Sequence, residues 1–332
     1  MSGQGNSEAN VDLLPMHSAR EGREFARREV TKAEALPGIL RAAREAQAAW
    51  SLTHVRDRAR VLRSVVRYLH SHASDYSDRL SLLNGKPFTE AMIGEIYPTL
   101  ATFRFFARKG PSALKSRRIP LGAMPLAYSR LTFDPLGVIG VISPWNYPFK
   151  LMLQDVPAAL IAGNAVIIKV SEHASAVGDL VEELLNASDI PAGLVQLIHG
   201  RGELGEALIH SGVDKIVFTG SSRTGRLVYQ EAARAMIPAT LEMGGKDAAI
   251  VLEDADLDDA ARGILWGALA NCGQACASIE SIYCPEGLHK ELSHRCARLI
   301  QSLPLGSLGT MNTIFQRDKV LGQVEDALGK GA

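Results

Sequence analysis

The feature that most constrains the fold is a repeating pattern after residue 130, in which short apolar runs alternate with segments of helical spacing. The apolar runs occupy residues 137–142, 165–170, 194–198, 215–218 and 248–252. Segments of helical spacing lie between them, at residues 174–185, 203–211 and 222–235. This alternation predicts an α/β fold built on a doubly wound parallel sheet. A sheet of this kind binds its ligand at the carboxyl ends of its strands.

The earlier part of the chain, from residue 36 to residue 110, also has helical spacing, with apolar residues every three or four positions. It predicts amphipathic N-terminal helices that lie on the sheet. Residues 1–30 mix glycine, serine, asparagine and charged residues without periodicity, and we expect a flexible N-terminal tail. We therefore divide the chain into this tail, a domain over residues 31–270 and the start of a second domain over residues 271–332.

Composition limits the class of partner. The 36 lysines and arginines balance 36 acidic residues, and this zero net charge argues against binding to nucleic acid or an acidic membrane. The N-terminus lacks an apolar signal core, and the longest apolar stretch, residues 156–168, is too short to span a bilayer. The four cysteines all follow residue 270, which argues against a disulfide scaffold. We expect a reduced, cytoplasmic protein that does not associate with membranes.

Two glycine-containing turns, each between a strand and a helix, favour the binding of an anion. The first spells G-x-G-x-x-G over residues 200–205 and includes Gly202 and Gly205. The second covers residues 218–225, where the residues of interest are Phe218, Gly220, Ser221, Thr224 and Gly225. Backbone amides at a helix N-terminus bind phosphate, so two such turns favour a dinucleotide. The alternative is that the glycines serve only to make tight turns.

Polar residues also lie at the ends of two other apolar runs. Lys169 could hold phosphate or ribose, and Glu172 could bind ribose hydroxyls while repelling a 2′-phosphate; a surface ion pair is the alternative. In the Ser-Pro-Trp-Asn-Tyr-Pro loop at residues 143–148, two prolines fix the backbone and Asn146 offers an amide donor. An oxyanion needs a fixed donor of this kind, but an asparagine can also simply close its own turn.

A thiol and a carboxylate follow later in the chain. Cys276 lies beyond a Gly-Gln turn, and Glu242 precedes a pair of glycines. Cys276 is a candidate nucleophile and Glu242 a candidate base, because a thiol needs a base or a lowered pKa to react at neutral pH. The alternatives are a cysteine that only fills the core and a solvated glutamate. Cys272 and Cys276 have no histidine nearby, so we expect no metal site.

Taken together, these segments resemble the NAD(P)-dependent aldehyde dehydrogenase superfamily, over about residue 36 to residue 332. The sequences PWNYP, KVSE, FTGSSRTG, LEMGGK and GQAC occur in the order found in that family, and Glu242 precedes Cys276 by the usual 34 residues. The resemblance implies a Rossmann-like domain that binds NAD, with NADP possible. It also implies oxidation of a small-molecule aldehyde to a carboxylic acid through a thiohemiacetal and a thioester on Cys276.

The resemblance also implies a role for each matching residue. Asn146 is the oxyanion donor, Glu242 the base and Cys276 the nucleophile, while Lys169 and Glu172 hold the adenosine ribose. The cofactor-binding positions are Ser143, Trp145, Lys169, Glu172, Gly202, Gly205, Phe218, Gly220, Ser221, Thr224 and Gly225.

Two departures from the family pattern stand out. Ser281 lies where relatives commonly carry arginine, which removes a supporting ion pair or hydrogen bond. Family members continue considerably beyond Ala332, so we expect a truncated chain with an incomplete second α/β catalytic domain. Family members are usually homo-oligomers in which a strand beyond this segment crosses to the partner subunit. The oligomeric state of this chain is therefore left open. Two other functions also stay open: a catalytically deficient nucleotide-binding or interaction protein, and a Cys276-dependent esterase.

Overall fold

The structure is a computed structural model that describes residues 12–120, 128–304 and 306–331. It begins with an antiparallel hairpin of β1 (Leu13–Ser18) and β2 (Arg23–Glu29). Alternate residues of β1 are buried, although neither strand showed a pattern long enough to predict it.

Contacts with distant parts of the chain order this hairpin. Ser18 Oγ donates to the carbonyl of Leu82 at 2.9 Å, and the Thr31 N–H donates to the carbonyl of His199 at 2.7 Å. The prediction of a flexible tail over residues 1–30 is therefore wrong for residues 13–29. Residues 1–11 lie outside the described residues.

A layer of helices follows, as the periodicity predicted. It consists of α1 (Leu36–Ser51), α2 (Val55–Ser71), α3 (Ala73–Asn84), the short α4 (Phe88–Ala91), a π-helical turn (Met92–Ile96) and α5 (Tyr97–Ala113). Helix α2 packs along α5, and α1 packs on the central sheet. The strands β3 (Arg117–Pro120) and β4 (Tyr128–Leu131) then form a second antiparallel hairpin.

The central sheet has five parallel strands, in the order β7-β6-β5-β8-β9. Its strands are β5 (Val138–Ile142), β6 (Ala165–Val170), β7 (Val195–His199), β8 (Lys215–Gly220) and β9 (Ala239–Met243). The helices between them are α6 (Pro148–Leu153), α7 (Val156–Ile161), α8 (Ser175–Asn186), α9 (Gly202–His210) and α10 (Ser222–Arg234). Every residue of β5 and β6 is buried, as expected for central strands covered on both faces.

The strand order reverses between β5 and β8. From β5 the chain adds β6 and then β7 on one side, and it later adds β8 and β9 on the other. Helix α6 packs against α8 and α9 against α10, which agrees with two helical layers on opposite faces of the sheet. The α/β fold with a doubly wound parallel sheet is thus confirmed, and its switch point lies between the carboxyl ends of β5 and β8.

A second, smaller unit starts before the boundary predicted at residue 270. It contains β10 (Asp247–Ile250), α11 (Leu257–Leu269), β11 (Ile279–Tyr283), α12 (Glu286–Ser302) and α13 (Ile314–Gly329). Strand β10 pairs with β11 and not with the central sheet, where β9 occupies the edge. The run at residues 248–252 was therefore wrongly assigned to the central sheet, since an apolar run does not show which strand it pairs with.

The second unit has its own small core, formed by Val251, Ala261, Ile264 and Leu292. None of the described side chains of α13 is buried, and Ile314 and Phe315 are about two-thirds exposed, at 70% and 67%. Few apolar contacts therefore stabilise the second unit.

We predict that Gly110→Ala destabilises the protein although alanine favours helix. A Cβ on Gly110 would lie 2.5 Å from Cγ1 of the buried Ile161, which is too close and cannot be relieved by a flexible chain end. We expect a loss of about 1–3 kcal/mol in the free energy of unfolding, measured by urea denaturation. Gly38→Ala is the control: its Cβ would meet nothing within 4 Å, and we expect unchanged or slightly higher stability. Equal stability of both variants would contradict this packing.

Candidate active site

The predicted site residues gather at one edge of the central sheet because neighbouring strands are in register. Ile142 of β5 pairs with Lys169 of β6 and with Phe218 of β8, and Phe218 pairs with Leu241 of β9. Strand β5 ends at Ile142, and β6, β8 and β9 end one or two residues beyond this level, so all four leave the sheet at the same edge. Glu242 lies one position further, opposite Thr219.

The end of β6 presents an ion pair. Lys169 is buried, and its Nζ lies 3.2 Å from Oε2 of the half-buried Glu172. Burial favours the neutral acid, but the Lys169 ammonium outweighs it, and the pKa of Glu172 lies below its ordinary value. Glu172 is therefore ionised at neutral pH. The alternative that we considered was a surface ion pair; the pair does form, but Lys169 is buried. Among the described residues its ammonium donates to Glu172 alone, which leaves two donors for a ligand.

The loop after β8 forms the N-terminus of α10. Ser221 is the N-cap, and its Oγ accepts from the Thr224 N–H at 3.2 Å. The remaining amides of the first turn have no partner inside the helix, which is the arrangement that binds phosphate. A Cβ on Gly225 would lie 2.7 Å from the Met243 sulfur, so Gly225 permits close packing of α10 on β9.

Several predicted cofactor positions serve packing in the structure. Phe218 is buried, and its ring lies 2.5 Å from where a Cβ on Gly220 would be. Ser143 is buried, and its Oγ donates to the Lys169 carbonyl at 3.2 Å. A Cβ on Gly205 would be in ordinary contact with Ile142, at 3.6 Å.

Gly202, the first residue of α9, does not pack against other groups as these positions do. A Cβ on Gly202 would meet nothing within 4 Å, so space near the start of the helix is open. Trp145 is partly exposed in the loop after β5. The buried Lys169 ammonium, the amides at the start of α10 and the open space at Gly202 together fit a dinucleotide.

Asn146 is bonded to residues 270–278, the segment between α11 and β11 that carries Cys276 and that we call the cysteine loop. Its Nδ2 donates to the carbonyl of Gln274 at 2.9 Å, two residues before Cys276. Asn271 Nδ2 donates to the carbonyl of Asn146 at 3.0 Å and to that of Gln274 at 3.2 Å. Two of these amide hydrogen bonds join the loop after β5 to the cysteine loop, and the third lies within the cysteine loop.

Cys276 is exposed, and its backbone is linked to the segment after Glu242. The Gly245 N–H donates to the Cys276 carbonyl at 3.2 Å. A Cβ on Gly245 would lie 2.9 Å from that carbonyl oxygen, so the close approach requires glycine. The exposed Glu242 carboxylate forms no hydrogen bond or ion pair with any residue in the described part of the chain. The predicted base and nucleophile are both accessible.

The other cysteine of this loop is in a different environment. Cys272 is half-buried with a backbone φ of 55°, and burial together with the nearby Glu90 carboxylate raises the pKa of its thiol. A raised pKa disfavours the reactive thiolate. Cys276 is therefore the better candidate nucleophile of the two.

The sequence did not reveal a group of residues behind the loop after β5. Lys86 and Glu95 form a fully buried ion pair, with Nζ 2.9 Å from Oε1. Glu90 Oε2 accepts from the Asn271 N–H at 2.7 Å, and the Asn312 N–H donates to Gln274 Oε1 at 2.9 Å. Burial, with the Glu90, Glu95 and Cys276 side chains nearby, raises the pKa of Tyr147 to about 12.

Two further observations concern metals and membranes. Glu206, His210 and Glu231, on the outer helices α9 and α10, place donor atoms within 4.8 Å of one another, and Glu231 is already paired with Arg234. In the ranges that the structure describes, no helix combines the length and apolar character needed to cross a bilayer.

Comparison with known proteins agrees with this geometry. The chain is 38% identical over 322 residues to the 4,4′-diapolycopene aldehyde oxidase of Methylomonas sp., with 95% of this chain and 61% of the relative covered. It is 34% identical over 302 residues to the geranial dehydrogenase of Castellaniella defragrans, with 87% and 62% covered. The chain thus spans less than two thirds of the length of these relatives.

Solved structures of PnpE from Pseudomonas sp. WBC-3 are also similar. The one in complex with nicotinamide adenine dinucleotide is 28% identical and superposes with a TM-score of 0.90 over 96% of this chain and 67% of its own. The sequence model of the aldehyde dehydrogenase family matches residues 7–332 of this chain. The resemblance found in the sequence is confirmed, and the chain belongs to the aldehyde dehydrogenase family.

Proposed function

We propose that this chain oxidises an aldehyde to a carboxylic acid with a nicotinamide dinucleotide, through a covalent intermediate on Cys276. The observation that carries the proposal is the joining of three segments at the carboxyl edge of the sheet. Asn146 is bonded to the cysteine loop through Gln274, and the segment after Glu242 is bonded to Cys276 through Gly245. The segments that carry an amide donor, a thiol and a carboxylate are thus linked to one another at the edge where a doubly wound sheet binds ligands, which supports the proposal.

The first step forms a bond between Cys276 Sγ and the aldehyde carbon. Glu242 removes the thiol proton, directly or through a water molecule, and the carbonyl oxygen becomes an oxyanion. The Asn146 side-chain amide has two N–H groups, of which one is used by the Gln274 carbonyl. The second N–H and the Cys276 backbone amide receive the oxyanion.

A bound nicotinamide supplies the acceptor for the hydride that leaves the aldehyde carbon. Lys169, Glu172 and the amides at the start of α10 would hold the dinucleotide. Glu242 first releases the thiol proton to solvent. It then takes a proton from the water that attacks the thioester and passes it to the departing Cys276 sulfur, so the carboxylic acid leaves and the thiol is restored. We propose a cytoplasmic location, since the four cysteines are all free in the structure.

The family relatives guide the choice of substrates. Geranial dehydrogenase and 4,4′-diapolycopene aldehyde oxidase are named for apolar aldehydes. The direct test is NADH formation by the full chain with a panel that includes geranial and short aliphatic aldehydes. NADH formation with any aldehyde supports the proposal, whereas cofactor binding without NADH formation would favour the nucleotide-binding alternative.

We predict that Cys276→Ala abolishes aldehyde oxidation and ester hydrolysis but leaves dinucleotide binding nearly unchanged. The thiol forms the covalent bond to the substrate, whereas the proposed cofactor contacts lie at β6 and α10. NADH formation, nitrophenyl ester hydrolysis and calorimetric binding check the three properties. Cys284→Ala is the control and should keep both activities, because Cys284 packs in the second core. Full activity of Cys276→Ala would remove Cys276 from the mechanism.

We predict that Glu242→Gln slows the release of acid more than the formation of the thioester. Glutamine cannot take the proton of the attacking water, whereas a thiol that ionises without help can still react once. The expected result is a burst of NADH followed by slow turnover, observed by stopped-flow absorbance. Glu253→Gln, at another exposed position, should behave like the unaltered protein. Unaltered steady-state turnover of Glu242→Gln would exclude it as the base.

We predict that the chain prefers NAD over NADP and that Glu172→Gln weakens this preference. The ionised Glu172 accepts hydrogen bonds from ribose hydroxyls but repels a 2′-phosphate. A like charge near 4 Å costs about 1–4 kcal/mol at the protein surface, so the ratio of dissociation constants should fall about tenfold or more. Calorimetric titration with both dinucleotides measures the ratio, with Glu206→Gln as the control. Tighter binding of NADP by the unaltered chain would contradict the prediction.

A further inference from the structure

A buried ion pair lies directly behind the loop at residues 143–148, which we call the Asn146 loop. Lys86 follows α3, and Glu95 belongs to the π-helical turn before α5. Both side chains are 0% exposed, and Nζ lies 2.9 Å from Oε1. A buried ion pair is often no more stabilising than apolar residues of the same volume, so stability alone does not account for this one.

The remaining bonds of the pair are directed at the Asn146 loop and its continuation. Lys86 Nζ donates to the backbone carbonyl of Asn146 at 2.5 Å and to the side-chain oxygen of Asn84. Glu95 Oε2 accepts from the Lys150 N–H at 3.0 Å. All three donors of the ammonium are therefore used, and one of them holds the peptide of Asn146.

Neighbouring groups hold the two peptides on either side of Asn146. Asn84 Nδ2 donates to the Trp145 carbonyl at 3.1 Å, and Asn271 Nδ2 donates to the Asn146 carbonyl at 3.0 Å. Lys86 Nζ also lies 4.6 Å from the centre of the Tyr147 ring, a cation–π distance. The carbonyl of Asn146 is thus held between a buried cation and an amide from the cysteine loop.

We propose that Lys86 is a positioning residue: by holding the Asn146 carbonyl, the Lys86–Glu95 pair fixes the direction in which the Asn146 amide meets the substrate oxygen at Cys276. The inference rests on the proposed function, because it assigns Lys86 to the oxyanion step of that reaction. Lys86 does not touch the substrate and acts only through Asn146. A small error in the position of a catalytic group can slow a reaction about a hundredfold, so control of one peptide has a measurable effect.

Two reactions of Cys276 separate positioning from a general structural role. When the thiolate attacks p-nitrophenyl acetate, an S–C bond forms, the carbonyl oxygen becomes an oxyanion, and p-nitrophenolate leaves to give a thioester. When it attacks iodoacetamide, an S–C bond forms and iodide leaves, and no oxyanion develops. Only the first reaction depends on the Asn146 amide. Neither reaction needs the cofactor.

The test variant is the double substitution Lys86→Met with Glu95→Gln in the full chain. It removes both buried charges together, which avoids leaving one of them unpaired, and glutamine keeps an oxygen for the Lys150 N–H. We expect acylation of Cys276 by p-nitrophenyl acetate to slow by about tenfold or more, while the rate with iodoacetamide stays within about twofold. In an Asn146→Ala background the double substitution should cause no further loss, because two groups that act through one donor are not additive.

A matched control uses an ion pair of the same fold that lies away from the Asn146 loop. Arg79 of α3 pairs with Glu183 of α8 at 2.7 Å. Arg79→Met with Glu183→Gln should leave both reaction rates unchanged. Circular dichroism establishes that each variant is folded, and Lys86→Leu with Glu95→Gln replaces the first double variant if that one does not fold.

Three outcomes would overturn the inference: unaltered acylation of the double variant, equal slowing of both reactions, or a further loss in the Asn146→Ala background. Hydrogen exchange of the peptide over residues 143–150 tests the same contact without any reaction and should be faster in the variant. If the unaltered chain is not acylated at all, the proposed function fails. Unchanged hydrogen exchange would then overturn the positioning role separately.

Discussion

The site depends above all on the register of the parallel strands. Ile142 is opposite both Lys169 and Phe218, and Phe218 is opposite Leu241, so β5, β6, β8 and β9 end within two residues of one another. A shift of β9 by one residue would turn Glu242 to the other face of the sheet and replace it with Met243 or Leu241. The chemistry of the loops therefore follows from pairings within the sheet, which are fixed by strands buried on both faces.

The cysteine loop needs a different kind of anchor because it belongs to a unit with a small core. That unit buries only a few apolar side chains, among them Val251, Ile264 and Leu292. Its loop is held to the larger unit by polar contacts instead, and Gln274 is at the centre of them. The Gln274 carbonyl accepts from Asn146 of the larger unit and also from Asn271, whose own N–H donates to Glu90 of the larger unit. Hydrogen bonds are directional, so they fix orientation better than a small apolar contact of equal strength.

The sequence predicted the parts of the fold that depend on local pattern. Strands β5 to β8 and the helices α8, α9 and α10 lie within a few residues of their predicted places, because apolar runs and helical periodicity are properties of adjacent residues. The hairpin at residues 13–29 was missed, since its order comes from contacts such as that between Arg28 and Asp179, 151 residues apart. The pairing of β10 with β11 was missed for the same reason: a short apolar run does not show its partner.

The site was predictable only where residue type itself suggests chemistry. A thiol, an amide between prolines and a glutamate before glycines are recognisable in sequence, and the structure brings their loops together. Lys86 and Glu95 gave no comparable signal, because a charge in a helical segment is ordinarily solvated. Their importance depends on complete burial and on a carbonyl 60 residues away, and neither property can be deduced from local sequence.

The Asn146 residue is held at both its side chain and its backbone. One N–H of the side-chain amide is bonded to the carbonyl of Gln274, and Gln274 precedes Cys276, the proposed nucleophile, by two residues in the same loop. A displacement of the cysteine loop therefore carries the amide with it, so the donor and the thiol keep their relative position. The Lys86 ammonium fixes the other end of Asn146, at its backbone carbonyl. Because both ends of the residue are held, the second N–H points in one fixed direction. Oxyanion stabilisation requires a donor that is oriented in this way before the reaction begins.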